Sequence, residues 1–193
     1  VYVGSYLTIS DNATVKLTEG TGARQSQIVI EKSGKLTISA KNAVSYQGGL
    51  ANILVAGSRN DTQLTISADN MFDKLIFSRE SNNEFLTLTV NNGARIYFNA
   101  ISFLYQTKTA TLKINNFTEE SIFLKDISGW GDLDSVALSD TEGNTYTKDD
   151  LNWVAGTYDG IGGYWLSTVP EPSAYAAIFG VLSIAFVIYR RRK

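Results

Sequence analysis

The sequence predicts a mainly β chain: a parallel β-helix, or solenoid, with a C-terminal cap, followed by one transmembrane helix. Two observations point there. From Val1 to about Asp126 short runs rich in β-branched residues alternate with turn residues, and there is almost no helical period. One tetrapeptide also recurs, as Leu7-Thr8-Ile9-Ser10, Leu36-Thr37-Ile38-Ser39 and Leu64-Thr65-Ile66-Ser67. An antiparallel β-sandwich is the alternative, because Leu-Thr-Ile-Ser is also an ordinary strand sequence.

Residues 1–126 form the β-repeat region. Leu86-Thr87-Leu88-Thr89 and Leu112-Lys113-Ile114-Asn115 read as degraded copies of the tetrapeptide, so the leucines follow one another at steps of 29, 28, 22 and 26. A strand that returns every 20–30 residues marks a solenoid. Leu and Ile at alternate positions would point inward, and Thr and Ser outward. Asn12, Asn42, Asn70, Asn91 and Asn116 follow the copies as turn residues. The pattern resembles passenger-like β-helical regions of bacterial surface proteins.

Residues 127–166 read as a Trp/Gly-rich cap and linker. Trp130, Trp153 and Trp165 are the only tryptophans, and glycines surround them. Asp140-Thr-Glu142-Gly143-Asn144 reads as a turn between Val136-Ala-Leu138 and Thr145-Tyr146-Thr147, Asp149-Asp150 as a single helical turn, and Gly160-Ile-Gly162-Gly163 as a linker. A solenoid needs a terminal unit to hide its last rung.

Residues 167–193 carry the most specific signal. Both prolines of the chain lie in Val169-Pro170-Glu171-Pro172-Ser173. The 16 residues 174–189 have no charge and span ~24 Å as a helix, slightly less than the ~30 Å hydrocarbon core. Arg190, Arg191, Arg192 and Lys193 end the chain, and the positive-inside rule places them in the cytoplasm.

This order of Pro-Glu-Pro, apolar helix and basic cluster resembles the PEP-CTERM sorting signal of bacteria that secrete exopolysaccharide. The resemblance implies that Val169 to Ser173 are recognised by exosortase, a membrane transpeptidase-like enzyme. It further implies that 174–189 is a transient anchor, that Arg190 to Lys193 stop transfer, and that the protein moves from the inner membrane to the cell surface or matrix. The physics suits processing, since two prolines hold the chain extended and withhold backbone donors.

Composition narrows the chemistry. With no cysteine and no histidine, thiol nucleophiles, His-based triads and the usual zinc sites are excluded. Apart from the four tail cations and Glu171 there are 13 Lys+Arg against 18 Asp+Glu, which gives no footprint for nucleic acid. Carboxylate catalysis would have to use Asp132 and Asp134, Glu119-Glu120 or Asp149-Asp150, all of which read more simply as solvated turns. No cofactor is expected; the one metal that Asp132, Asp134, Asp140 and Glu142 could serve is calcium, although the Asp-x-Asp-x-Asp-Gly loop order is missing. Tyr46, Tyr97, Tyr105, Tyr158, Tyr164 and the tryptophans are candidate sugar platforms, with core or cap packing the simpler account. Asn12, Asn60 and Asn116 begin Asn-x-Thr sequons, read as chance. The chain is therefore expected to be a non-catalytic surface or matrix component associated with exopolysaccharide. Its alternatives are a carbohydrate-binding module or, less readily, a β-helical polysaccharide-degrading enzyme.

Overall fold

The computed structural model describes residues 1–4, 6–9, 13, 15–17, 27–31, 33–56, 62–78, 83–91, 93–104 and 109–168. They form a β-solenoid of about four turns. Its strands run in chain order as β1 (Tyr2–Val3), β2 (Tyr6–Ile9) and β3 (Val15–Leu17), then β4 (Gln27–Glu31), β5 (Lys35–Ile38) and β6 (Val44–Tyr46). A short return strand β7 (Gly49–Leu50) is followed by β8 (Asn52–Ala56), β9 (Gln63–Ile66), β10 (Asn70–Phe77) and β11 (Asn83–Val90). The stack continues with β12 (Ile96–Phe103), β13 (Thr109–Phe117), β14 (Ile122–Asp126) and β15 (Ser135–Asp140). It ends with β16 (Thr145–Thr147), β17 (Leu151–Tyr158) and β18 (Ile161–Thr168).

Successive turns pair in parallel, as a solenoid requires and an antiparallel sandwich does not. One sheet has the order β1-β4-β8-β10-β12-β14-β18-β17, a second β16-β15-β13-β11-β9-β5-β2, and a third β3-β6-β7. The first sheet covers two sides because β10 and β12 each bend midway. Phe72 and Leu75 both reach the core although three positions separate them, and the ladder between β10 and β12 omits the pair Asp73 and Asn99. At that corner the Asn99 side-chain amide donates to Asp73 Oδ1 at 2.6 Å. We call the side formed by β1, β4, β8 and the later halves of β10 and β12 the first stack. The second stack is β2, β5, β9, β11, β13 and β15. The third holds β3, β6, the early halves of β10 and β12, and β14.

The tetrapeptides stack as their spacing predicts, with one correction. Leu7 lies beside Leu36, and Leu36 beside Leu64. Leu64 then pairs with Leu88 rather than Leu86, and Leu88 with Ile114. The copy is shifted by two residues. Because side chains alternate with period two, that slip keeps the leucines inside and so leaves no mark on the apolar pattern. All of Leu36, Leu64, Leu88, Ile114 and Leu138 are buried, and burying each such side chain stabilises by about 1.5–3 kcal/mol. Register also aligns rings: Phe72 stacks on Phe98 at 5.6 Å, and Phe77 on Phe103 at 5.7 Å.

Asparagines turn the corners, though not as one uniform ladder. Asn42 and Asn116 adopt φ of 46° and 57°, the left-handed region that Asn tolerates. The Asn116 amide donates to Asn91 Oδ1 at 2.7 Å. Asn70 is buried and fully used, accepting from the Ala43 N–H and donating to the carbonyls of Ala40 and Ala68. Asn12 lies outside the described residues.

The parallel ladder extends one strand beyond residue 126, to β15. Thereafter the pairing is antiparallel: β16 on β15, β18 on β14, and β17 on β18. The turn expected at 140–144 joins β15 to β16, and Lys148–Asp150 forms a 3-10 turn in which Thr147 and Asp150 cap each other. Another 3-10 turn, Ser128–Trp130, puts Trp130 and Leu133 on the interior with Leu166. Trp153 meets the Trp130 ring edge-on at 5.0 Å.

The expected glycine linker is instead part of a β-hairpin. Asp159 and Gly160 turn β17 into β18 with φ of 47° and 81°, and Gly162 and Gly163 are strand residues. A Cβ at Gly163 would lie 2.5 Å from Phe123 Cζ and 2.7 Å from the Leu124 carbonyl. Only glycine lets β18 approach this closely. Among the described residues no helix is long and apolar enough to cross a membrane; the stretch 174–189 lies outside them.

Candidate ligand-binding face

The predicted sorting residues, Val169 to Ser173 and Arg190 to Lys193, lie outside the described residues. The last described strand stops at Thr168, one position before Val169. Its N–H and hydroxyl both donate to Glu119 Oε1, at 3.1 and 3.0 Å.

The carboxylates singled out for catalysis or calcium are spread over several turns, and Glu119, Asp134, Asp140 and Asp150 accept hydrogen bonds there. Asp134 accepts from the Ala110 N–H. Asp140 accepts from the N–H groups of Glu142 and Asn144, the Asn144 amide and the Tyr146 hydroxyl. The Asn144 side chain foremost holds the Asp140 carboxyl below its ordinary value. Asp150 is lowered likewise, first by the Thr147 N–H. Glu119, Asp140 and Glu142 are among the residues that line a cavity of about 310 Å³. Among the described residues no group of three or more His, Cys, Asp or Glu is arranged to hold a metal ion.

The candidate sugar aromatics are mostly packed away. Tyr97, Phe123, Tyr158 and Trp165 form a cluster on the outer side of the third stack, with Tyr97 over Phe123 at 5.4 Å and Trp165 edge-on to Phe123 at 4.9 Å. The β17–β18 hairpin supplies Tyr158 and Trp165, and so covers Tyr97 and Phe123 with its own rings. Arg95 holds the far side. Its guanidinium lies 5.0 Å from the Tyr158 ring centre, an attractive cation–π geometry, while Nε and Nη2 grip Asp69 Oδ2 at 3.2 and 2.7 Å. Burial raises the Asp69 carboxyl, but hydrogen bonds and charge from Arg95 outweigh it and leave a net lowering. Burial, then the Asp69 charge, pushes Tyr158 up to about 12. Trp130 and Trp153 belong to the interior end, Tyr46 packs against the core, and Tyr105 lies outside the described residues. Of the described members of the set, Tyr164 alone is notably exposed.

A surface left open along several strands is the outward side of the second stack. Thr8, Thr37, Thr65 and Thr89 are in register on four adjacent strands, followed by Asn115. The Ser139 hydroxyl donates to Asn115 Oδ1 at 3.2 Å, which continues the column onto β15. A second column runs Tyr6, Lys35, Gln63, Thr87, Lys113, Ala137. Phe85 stands outward beside Thr111, whose hydroxyl shares a 3.0 Å hydrogen bond with Ser135. At the C-terminal end of this face, Lys113, Ser139, Thr145, Tyr146 and Thr147 line a groove of about 280 Å³. Among the described residues, the outward positions of the second stack hold two lysines and no carboxylate.

Sequence reading missed Tyr6 and Phe85. The signal was present, since each sits on the Thr side of a strand whose Leu and Ile point inward. No family model, curated protein or solved structure matches the chain.

Proposed function

We propose that this chain is an exported bacterial surface or matrix protein, delivered by exosortase through its C-terminal signal and acting without catalysis as a structural or adhesive component. The observation that carries the reading is the tripartite tail: Val169-Pro170-Glu171-Pro172-Ser173, an uncharged segment over 174–189, and Arg190 to Lys193. Its position supports it. The motif begins one residue after β18, so a membrane enzyme would meet an extended Pro-containing peptide directly beside a closed fold. The antiparallel strands β16 to β18 act as the terminal cap, ending parallel propagation at the side nearest the signal. The engagement of Asp134, Asp140 and Asp150 in turns supports a role other than acid–base catalysis.

A second reading, a carbohydrate-binding module, is favoured by the hydroxyl columns of the second stack. Both readings allow association with exopolysaccharide.

Pro170→Ala with Pro172→Ala tests the sorting route in a host with an exosortase. The variant should accumulate at full length in the inner membrane, while the parent is shortened and reaches the surface. Normal processing of the double variant would sink the proposal.

A further inference from the structure

We propose that the outward face of the second stack binds an acidic polysaccharide, a polymer bearing uronate-type carboxylates, laid along the solenoid axis. The inference rests on reading the chain as a surface or matrix protein, and it adds the site and the class of polymer.

Charge carries the argument. Outside the tail the protein has five more carboxylates than cations, 18 against 13. That net charge disfavours approach of a polyanion overall. Many described carboxylates lie at corners, turns and the C-terminal end, as with Asp69, Asp73, Glu119 and Glu142; of those within strands, Glu31 is on β4 of the first stack and Glu84 on β11 is buried rather than outward. The second stack presents the opposite sign, with Lys35 and Lys113 outward and no acid between them. Three strand steps separate the two lysines, roughly 14–15 Å, so they can meet two carboxylates on one polymer strand while Gln63 and Thr87 occupy the interval. Two cations are too few for a nucleic acid, whose binding rests on many neutralised phosphates.

Hydroxyl and ring chemistry fit the same ligand. Thr37, Thr65 and Thr89 repeat donor and acceptor oxygens at ~4.8 Å, which suits a chain whose own hydroxyls repeat. Phe85 and Tyr6 offer apolar faces on which sugar rings can lie, and Lys35 sits 5.3 Å from the Tyr6 ring centre. The 280 Å³ groove around Lys113 and Tyr146 is close to the lower bound of ~300 Å³ for small-ligand sites, enough to seat one end of the bound stretch.

The test is affinity electrophoresis of the full chain in neutral detergent, through gels containing polygalacturonate or dextran. Polygalacturonate should retard the parent and dextran should not, and added salt should weaken the effect. Lys35→Glu with Lys113→Glu should weaken retardation about tenfold. Thr65→Glu should weaken it with both lysines intact. Lys35→Gln with Lys113→Gln should give an intermediate loss, and circular dichroism should show unchanged β content in every variant. Equal retardation by dextran, no retardation of the parent, or retention of parental binding by the double Glu variant would each overturn the proposal. The Pro170→Ala, Pro172→Ala chain should bind like the parent, so a failure of sorting in cells and a failure of binding in the gel are separate results.

Discussion

Gly129 and Gly131 flank Trp130 in a single 3-10 turn, yet alanine should act oppositely at the two positions. A Cβ at Gly129 would sit 2.0 Å from the Ile101 carbonyl oxygen and 2.8 Å from its carbon. Both are backbone atoms of β12, where Ile101 is in register with Leu75 of β10, so they cannot swing away as a side-chain end could. The turn must lift instead, carrying Trp130 and Leu133 away from the interior. Overpacking of this kind costs about 1–3 kcal/mol, and for a fold of this size each kcal/mol moves the melting temperature by about 2–4 °C. Gly129→Ala should therefore melt roughly 2–12 °C lower. Gly131 is exposed and right-handed helical, with φ −57° and ψ −33°. Its Cβ would meet only the Ser128 carbonyl, at 3.7 Å. Alanine there restricts the unfolded chain without strain, a gain of about 0.4–1 kcal/mol, or roughly 1–4 °C. Thermal unfolding followed by circular dichroism, with tryptophan fluorescence reporting on Trp130, measures both. If Gly129→Ala melts with the parent, or Gly131→Ala loses as much as Gly129→Ala, the close approach of this turn to β12 is wrong.

Two further outcomes test other parts of the fold. Tyr158 keeps its proton up to about 12 when folded and to about 10 when unfolded, so the stability it confers is complete below pH ~10 and is lost as pH rises through ~12. Tyr158→Phe should flatten the loss of stability across that window, measured by denaturant melts at successive pH values; an unchanged slope would show that the ring is not buried beneath Arg95. In this cysteine-free chain, Thr65→Cys with Thr89→Cys should oxidise readily, because parallel neighbours lie ~4.8 Å apart, within the disulfide range of ~4.4–6.8 Å. Thr65→Cys with Thr87→Cys, the pair implied by a 22-residue step, is separated by ~8 Å and should not.

The second stack was legible because it has one job per face. Leu and Ile alternate with Thr and Ser on β5 and β9, and that alternation states both the strand and its inner side. The third stack was hidden because both of its faces are buried. Met71-Phe72, Tyr97-Phe98 and Phe123-Leu124 are consecutive apolar pairs, which read as undirected apolar runs. Yet Asn70, Ile96 and Ile122 are register partners at a constant interval of 26 residues, a more regular repeat than the tetrapeptides offer. The hairpin was misread for a related reason. Gly162 and Gly163 carry the composition of a linker, and only the ring of Phe123 beneath Gly163 explains why a strand there must be glycine. Of the candidate site, the hydroxyl columns were foreseeable from Leu-Thr-Ile-Ser. The absence of carboxylates among the described outward residues of that face was not, because it depends on which residues six separate strands bring together.

The stacks differ in what remains free, and this makes the ligand face more than one surface among three. The third stack is occupied outside by Tyr158 and Trp165 of the hairpin, so a substitution at Tyr97 or Phe123 disturbs packing before it could disturb binding. The first stack carries Val29, Leu54 and Ile76 outward as a separate buried apolar cluster. Those three residues are buried, although Lys74 beside them is exposed. On the second stack the outward side chains stand clear of both clusters along its whole described length, with stability supplied by the leucine and isoleucine columns behind them. Substitutions there are free to change a ligand without changing the fold, since surface replacements away from packed features usually shift stability by only about 0.5 kcal/mol. In a solenoid, where each rung touches mainly its neighbours, that freedom repeats from strand to strand. A polymer aligned with the axis would therefore read several independently variable rungs at once, and the carboxylate-free run from Lys35 to Lys113 is the stretch on which such reading is electrostatically favoured.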